Sequence, residues 1–140
     1  MMQYEVVASE GKKTGYVGKR LYPPGWLAAY TILANVPLGL ICYGSNIMAR
    51  GHRLYGKIMI GSGLLTGICL LVLILSPPFQ GESRSLFLIG LICGMSIYKL
   101  EEGPYQKAIT AGALRARWWP PLLFAIGIMA ALYLYMRFAV

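Results

Sequence analysis

Acidic residues are scarce in this chain, and the whole sequence is poor in charge. Asp and Glu together number 5 in 140 residues, and charged types make up 13% of the composition, against about 25% in an average soluble domain. Apolar types reach 57%. A length of 140 residues allows one domain, and one small core could not bury so much apolar surface. The excess must therefore face lipid or a partner.

The chain also lacks a basic stripe interleaved with aromatic residues, although its net charge is +8. Its 13 Lys and Arg residues lie at the ends of apolar stretches, where cations set membrane topology and contact anionic head groups. No fold signature of a nucleic-acid-binding protein is present. We therefore predict the lipid bilayer, and not nucleic acid, as the partner of these charges.

Metal ligands are few and badly spaced. His52 is the single histidine and lies in a short basic loop, with no second ligand at usable spacing. An odd, unspaced set of cysteines is neither a disulfide framework nor a metal motif, and these fall in three different apolar stretches: Cys42, Cys69 and Cys93. We predict no metal site and no cofactor, and a head-group contact for His52. Ligation of a haem or chlorophyll-type metal by His52 is the alternative.

Four apolar stretches predict four membrane-spanning helices. They cover about residues 26–48, 58–77, 85–100 and 120–138. Charge occurs in them only at the ends, at Lys99 and Arg137, as expected if a charge at the bilayer centre costs about 2.5–3.5 kcal/mol. The third stretch is short for the ~30 Å hydrocarbon core and needs extension into the preceding loop. The sequence thus predicts an all-α, polytopic membrane protein, a four-transmembrane-helix bundle.

The predicted domains are a polar N-terminal tail, residues 1–25, and a membrane domain, residues 26–140. A small hairpin is predicted within residues 4–17. Gly103-Pro104 should end the third helix, and residues 105–117 should then form a short helix at the membrane interface, or a solvated loop. With four crossings, six Lys and Arg residues would lie on one side and seven on the other. The positive-inside rule then gives no orientation.

Small residues recur four positions apart in three of the stretches. This spacing places both members of a pair on one helix face and permits close backbone approach in lipid. The predicted packing pairs are Gly63 with Gly67, Gly90 with Gly94, and Gly127 with Ala131. They predict a tight helix interface, either within the bundle or with another subunit.

Polar residues that could carry a function are rare. Asn35 and Pro37 predict a kink in the first stretch, with the Asn35 amide bonded to a freed carbonyl or a neighbouring helix. The same pair could instead mark a transport path. For the adjacent acids, residues 101 and 102, we predict salt bridges to Arg115 or Arg117. No nucleophile, phosphate loop or partner histidine supports a catalytic role, so the chain is predicted not to be an enzyme.

Several segments carry a resemblance to a known group. They are Leu21-Tyr22-Pro23-Pro24, Pro37-Leu38-Gly39, Asn46 with the basic loop up to Gly56-Lys57, and Gly103-Pro104 to Gly112 with Trp118-Trp119. Together they resemble a group of small uncharacterised bacterial four-span membrane proteins. Members often have a histidine where this chain has Ala108. The resemblance implies location in a bacterial inner membrane. It does not imply any particular activity, because the group is uncharacterised.

These observations favour a non-catalytic accessory or scaffold subunit of a larger membrane protein complex, with other membrane subunits as partners. The alternative is a small oligomeric transporter or channel in which Asn35, Pro37 and Thr66 line a path. Proton-coupled transport usually needs a carboxylate or histidine inside the membrane, and the four stretches contain neither. A membrane enzyme is a distant third.

Overall fold

The computed structural model describes residue 16, residues 18–75 and residues 83–138. In these residues the chain forms five helices and two short strands, which confirms the predicted all-α fold class. The elements are β1 (Arg20–Leu21), α1 (Pro24–Leu33), α2 (Asn35–Ala49), α3 (Arg53–Leu75), α4 (Ser83–Thr110), β2 (Leu114–Arg115) and α5 (Trp119–Phe138). The hairpin predicted in the tail falls almost entirely outside the described residues.

The first apolar stretch is not one helix. It forms α1 and α2, which lie antiparallel to each other as a helical hairpin. Gly39 packs directly on Thr31, and the side chain of Asn46 bonds to the backbone of Tyr22. In a continuous helix, Thr31 and Gly39 would be about 12 Å apart along the axis. The prediction of a single helix over residues 26–48 is therefore wrong.

The reversal depends on two residues. Ala34 leaves the helical conformation at φ −106° and ψ 14°, and Asn35 follows with φ 65°. Asn tolerates this left-handed region better than other residues with a side chain. Pro37 lies in the first turn of α2, where its missing N–H breaks no helical hydrogen bond. The expected kink at Pro37 is thus a full chain reversal just before it.

The hairpin lies between the two longest helices. We call the end that holds Tyr22 and Asn46 the base, and Ala34-Asn35 the tip. α3 packs antiparallel on α2, with the Gly56 and Gly44 backbones in contact near the base. α4 packs antiparallel on α1. Both α3 and α4 continue past the tip, and α5 starts at the base, where the ring of Trp118 stacks on that of Trp26 with centroids 5.0 Å apart.

α4 is longer than expected. It runs through Gly103-Pro104 to Thr110, so the predicted helix end at this dipeptide is wrong. Residues 105–117 do not form a separate interfacial helix. Their first part continues α4, a turn follows with Gly112 at φ 97°, and β2 then pairs in parallel with β1. This connection covers the base of the hairpin.

Among the described helices, only α3 is long and apolar enough to cross a membrane. The apolar part of α5, Trp119–Tyr135, is shorter. Four crossings therefore remain a prediction. Only 6% of the apolar segment of α3 is fully buried, and the rest is exposed or half-buried.

Two glycines of α3 should respond oppositely to alanine. A Cβ on Gly56 would lie 2.7 Å from the Gly44 carbonyl oxygen and 2.9 Å from the Met48 nitrogen, both of them backbone atoms, whereas Gly61 has open space around it. We expect Gly56→Ala to lower the free energy of unfolding by about 1–3 kcal/mol through overpacking. The matched Gly61→Ala should raise it by about 0.5–1 kcal/mol through helix propensity. Equilibrium unfolding of both variants checks this, and equal effects would contradict the α2–α3 contact.

Candidate functional site

The side chain of Asn46 is the centre of the base. It is fully buried. Its Oδ1 accepts a hydrogen bond from the Tyr22 N–H at 2.8 Å, and its Nδ2 donates to the Tyr22 carbonyl at 2.9 Å. Nδ2 also donates to Glu101 Oε1 at 2.7 Å. One amide thus joins the segment before α1, the end of α2 and the middle of α4.

The carboxylate of Glu101 is the only fully buried charge among the described residues. Besides Asn46, it contacts Arg50, whose Nη1 lies 2.9 Å from Oε2 and whose side chain is 10% exposed. The contact is a buried ion pair. Arg50 directly follows the last residue of α2, four residues after Asn46, and both side chains contact α4. We call Asn46, Arg50, Glu101 and the Tyr22 backbone the basal polar cluster.

Burial dominates the electrostatics of this cluster. Removal from water raises the pKa of the Glu101 carboxyl above its usual range, while the Asn46 hydrogen bond and the Arg50 charge act in the opposite direction. The two α2 side chains are therefore what makes an ionised carboxylate tolerable at this position. Without them, Glu101 would be a buried charge with no partner, which is strongly unfavourable.

A small apolar cluster extends the base beside the polar one. It contains Leu21, Tyr105, Ala108 and Ala113, all nearly or fully buried. The strands hold it together, since Leu114 N–H donates to the Lys19 carbonyl at 2.9 Å and Ala116 N–H to that of Leu21 at 2.7 Å. Ala108, at the place where the resembled group often has a histidine, is a packing residue here.

The geometry of the basal polar cluster fits a structural role. Both carboxylate oxygens of Glu101 are engaged, and the group is closed to solvent. No serine, threonine, cysteine or histidine side chain is bonded to it in the described part of the chain. The cluster joins the open end of the hairpin to α4, so what it can do is hold these segments in one arrangement.

The predicted packing glycines lie in different environments. A Cβ on Gly63 would lie 2.9 Å from the Pro37 carbonyl oxygen, and Gly67 is in ordinary contact with the Pro37 ring. Gly90 and Gly94 lie against α1, where a Cβ would come within 3.0 Å of the carbonyl oxygens of Thr31 and Ala28, respectively. The α5 pair differs. Gly127 has no atom within 4 Å of a Cβ, and Ala131 is exposed.

Asn35 and Pro37 line an apolar groove at the tip. The groove has a volume of about 380 Å³ and lies between the tip, α3 and the middle of α5. Its other walls include Gly67, Phe124 and Met129. Asn35 is the one polar residue that borders it. The two residues predicted to form a kink therefore lie at the edge of an apolar groove.

The remaining candidates are not brought together. His52 is exposed in the connection between α2 and α3, and its carbonyl accepts a hydrogen bond from the Gly56 N–H at the start of α3. Glu101 pairs with Arg50, so its predicted salt bridge to Arg115 or Arg117 is wrong. The hydroxyl of Tyr98 donates to Glu102 at 3.5 Å. Among the described residues, no group of three potential ligands could hold a metal ion.

Asn46 and Arg50 are the important residues that sequence reasoning missed as a site. A signal was present, because Asn46 lies in an apolar stretch, and an arginine follows four residues later on the same helix face. Their acceptor lies 51 residues further along the chain from Arg50, and local pattern cannot supply that partner.

Removing the Asn46 amide should destabilise the base. Asn46→Ala leaves the Tyr22 N–H, the Tyr22 carbonyl and one Glu101 oxygen without their partner. Each unsatisfied buried group costs about 1–3 kcal/mol, so we expect a loss of about 3 kcal/mol or more in the free energy of unfolding. The neighbouring Ser45→Ala is the control, since the Ser45 hydroxyl bonds only to the Ile41 carbonyl of its own helix. Equal losses in the two variants would contradict the role given to Asn46.

The ion pair should behave as a unit in a double-mutant cycle. Arg50→Met should cost about 3–5 kcal/mol, because it leaves the Glu101 charge buried without its counterion. Arg50→Met with Glu101→Leu should recover most of that loss, since replacing both partners by apolar groups removes the unpaired charge. Arg53→Met, at an exposed arginine, should change stability by no more than about 0.5 kcal/mol. Additive losses would contradict coupling across the pair.

Comparisons of the chain with protein-family models, with curated proteins and with solved structures found no match. The resemblance to small bacterial four-span proteins therefore stays a prediction. Any functional conclusion has to come from the geometry of the basal polar cluster and from the surfaces that the helices expose.

Proposed function

We propose that the chain is an integral membrane protein that acts as a non-catalytic accessory or scaffold subunit of a larger membrane protein complex. All four apolar stretches would enter the bilayer, the first of them as the α1–α2 hairpin. Location in a bacterial inner membrane is part of the proposal and rests on the sequence resemblance alone. The proposal is carried by one observation, the exposed apolar surface of α3 and α5.

That surface is much larger than a water-soluble monomer tolerates. Apolar side chains are exposed along the whole of α3, with Ile58, Leu65, Ile68 and Val72 each more than half accessible. α5 exposes a second set, which includes Leu123, Phe124, Ile126, Met129, Leu134 and Phe138. Contiguous patches of this kind mark membrane or protein contacts. Lipid is a suitable environment for both helices, and a neighbouring subunit could cover part of either.

The non-catalytic part of the proposal rests on how the polar groups are used. The Asn46 and Glu101 side chains of the basal polar cluster are fully buried, and each carboxylate oxygen contacts a partner. The groove at the tip is open but apolar, with Asn35 as its one polar lining residue. A path for ions needs polar or charged lining groups, so the groove gives the alternative of a transporter or channel little support.

Membrane association and partnership can be tested in one preparation. Expressed with a small affinity tag, the chain should stay in the pellet after alkaline carbonate washing of membranes, because its apolar helices cannot leave lipid. After chemical crosslinking and purification in mild detergent, at least one other membrane protein should be recovered in near-stoichiometric amount. The same procedure in denaturing detergent without crosslinker is the control. Release by carbonate would contradict membrane insertion, and recovery of the chain alone as a monomer would contradict the subunit role.

A further inference from the structure

We propose that the α1–α2 hairpin enters the bilayer and returns to the side from which it came, so that the base faces the anionic cytoplasmic leaflet. This inference rests on the proposed membrane location and deepens it. In this arrangement only α3, α4 and α5 cross. The segment before α1, the α2–α3 connection and the α4–α5 connection then share one side, and the last residues of α3, the first residues of α4 and the end of α5 share the other.

The lengths of the helices support a re-entrant hairpin. α1 has 10 residues and α2 has 15, so at 1.5 Å per residue they reach about 15 and 22 Å, short of the ~30 Å hydrocarbon core. α3, with 23 residues, reaches about 34 Å. Gly67 of α3 lies beside Pro37, and Gly90 of α4 lies beside Thr31 and Ile32, so both glycines are within one helical turn of the tip. Eight residues of α3 and seven of α4 continue beyond these glycines, about 10–12 Å further.

The tip also meets the conditions for polypeptide at membrane depth. Irregular backbone is tolerated there only where it packs on protein or borders a cavity, because free N–H and C=O groups cannot bond to lipid. Only Ala34 separates the two helices, and its N–H donates to the Tyr30 carbonyl at 2.9 Å. Leu33, next to it, is 73% exposed and suits contact with acyl chains. The base is polar and is held by the basal polar cluster.

If the hairpin returns to the side from which it entered, the Lys and Arg residues are distributed very unevenly between the two membrane sides. Among the described residues, nine cations lie at the base or in the connections on its side: Lys19, Arg20, Arg50, Arg53, Lys57, Lys99, Lys107, Arg115 and Arg117. Arg84 and Arg137 lie at the opposite end. All nine basal cations except Arg50 are exposed. The positive-inside rule therefore places the base in the cytoplasm, where anionic head groups attract it.

The aromatic residues at the base agree with an interfacial position. Trp26 and Trp118 stack at a 12° interplanar angle, and both are more than one third exposed, as is the adjacent Trp119. The Tyr30 hydroxyl donates to the Trp118 carbonyl. Tryptophan is enriched at head-group depth, and these three rings lie on the same side as the exposed cations.

Cysteine accessibility in intact bacterial cells tests both parts of the inference. Three single variants of the full chain, Lys19→Cys, His52→Cys and Phe138→Cys, replace exposed residues. The chain without an introduced cysteine gives the background from Cys42, Cys69 and Cys93. A membrane-impermeant maleimide should label Phe138→Cys in intact cells. It should label Lys19→Cys and His52→Cys only after the membrane is permeabilised.

The alternatives give different patterns. If positions 19 and 52 are labelled from opposite sides, the hairpin is a true crossing and the inference is wrong. If both are labelled in intact cells while position 138 is protected, the hairpin returns but the orientation is wrong, which also overturns the proposal. If the chain is found in the soluble fraction, the proposed membrane function fails first, and the inference fails with it. Each result is thus distinguishable from the others.

Discussion

A single side-chain amide holds the two helices of the hairpin together at their open end. A chain that reverses at Ala34 and Asn35 gains little from the turn itself, because a residue with φ 65° is conformationally unfavourable even for Asn. The hairpin persists because its two ends are joined, by the bonds from Asn46 to both backbone groups of Tyr22. The positions of α3 and α4 follow from this junction, since α3 packs on one helix of the hairpin and α4 on the other.

The same amide bonds both to the backbone of Tyr22 and to the buried carboxylate of Glu101. Asn46 donates to Glu101, and Glu101 is paired with Arg50. The C-terminal end of α2 and the middle of α4 therefore cannot separate without leaving a charge exposed or unpaired. Buried ion pairs often add little net stability compared with apolar residues, but they are costly when broken. Such a pair selects one arrangement over similar ones. At a base formed by four separate segments, that selectivity is a sufficient reason for a buried carboxylate.

The sequence was informative where local pattern decides the structure. Apolar runs without internal charge located the ends of α5 within one residue and those of α3 within five, and the all-α class followed. The predictions from sequence were wrong where contacts with residues distant in the chain determine the structure. Residues 26–48 are apolar enough to make a span of full length. Asn35 and Pro37 indicated only a kink there, because the reversal is closed by Tyr22 and Asn46, which lie 24 residues apart. Pro104 was expected to end α4, yet the helix continues through it into packing against Leu21.

The candidate site was likewise visible only in part. Most of the segments that carried the resemblance converge at the base, whereas Pro37-Leu38-Gly39 lies near the tip. Nothing in these segments, taken alone, indicated that they would meet. The distribution of charge between the two membrane sides also depends on this reversal. Six cations against seven, counted with a crossing at residues 26–48, become nine against two among the described residues when that segment returns. One change in connectivity therefore converts a balanced charge distribution into a directional one.

The separation of the two ends of the hairpin distinguishes a chain reversal at Ala34 and Asn35 from a continuous helix. Spin labels attached at positions 19 and 52, measured by pulsed electron resonance on the purified chain, report the separation of the hairpin's two ends. The bonds between Tyr22 and Asn46 place both labels at the base, so the separation should be below about 25 Å, given the reach of the few residues on either side. A continuous helix over residues 26–48 alone spans about 34 Å. A distance at or above that value would contradict the structure described.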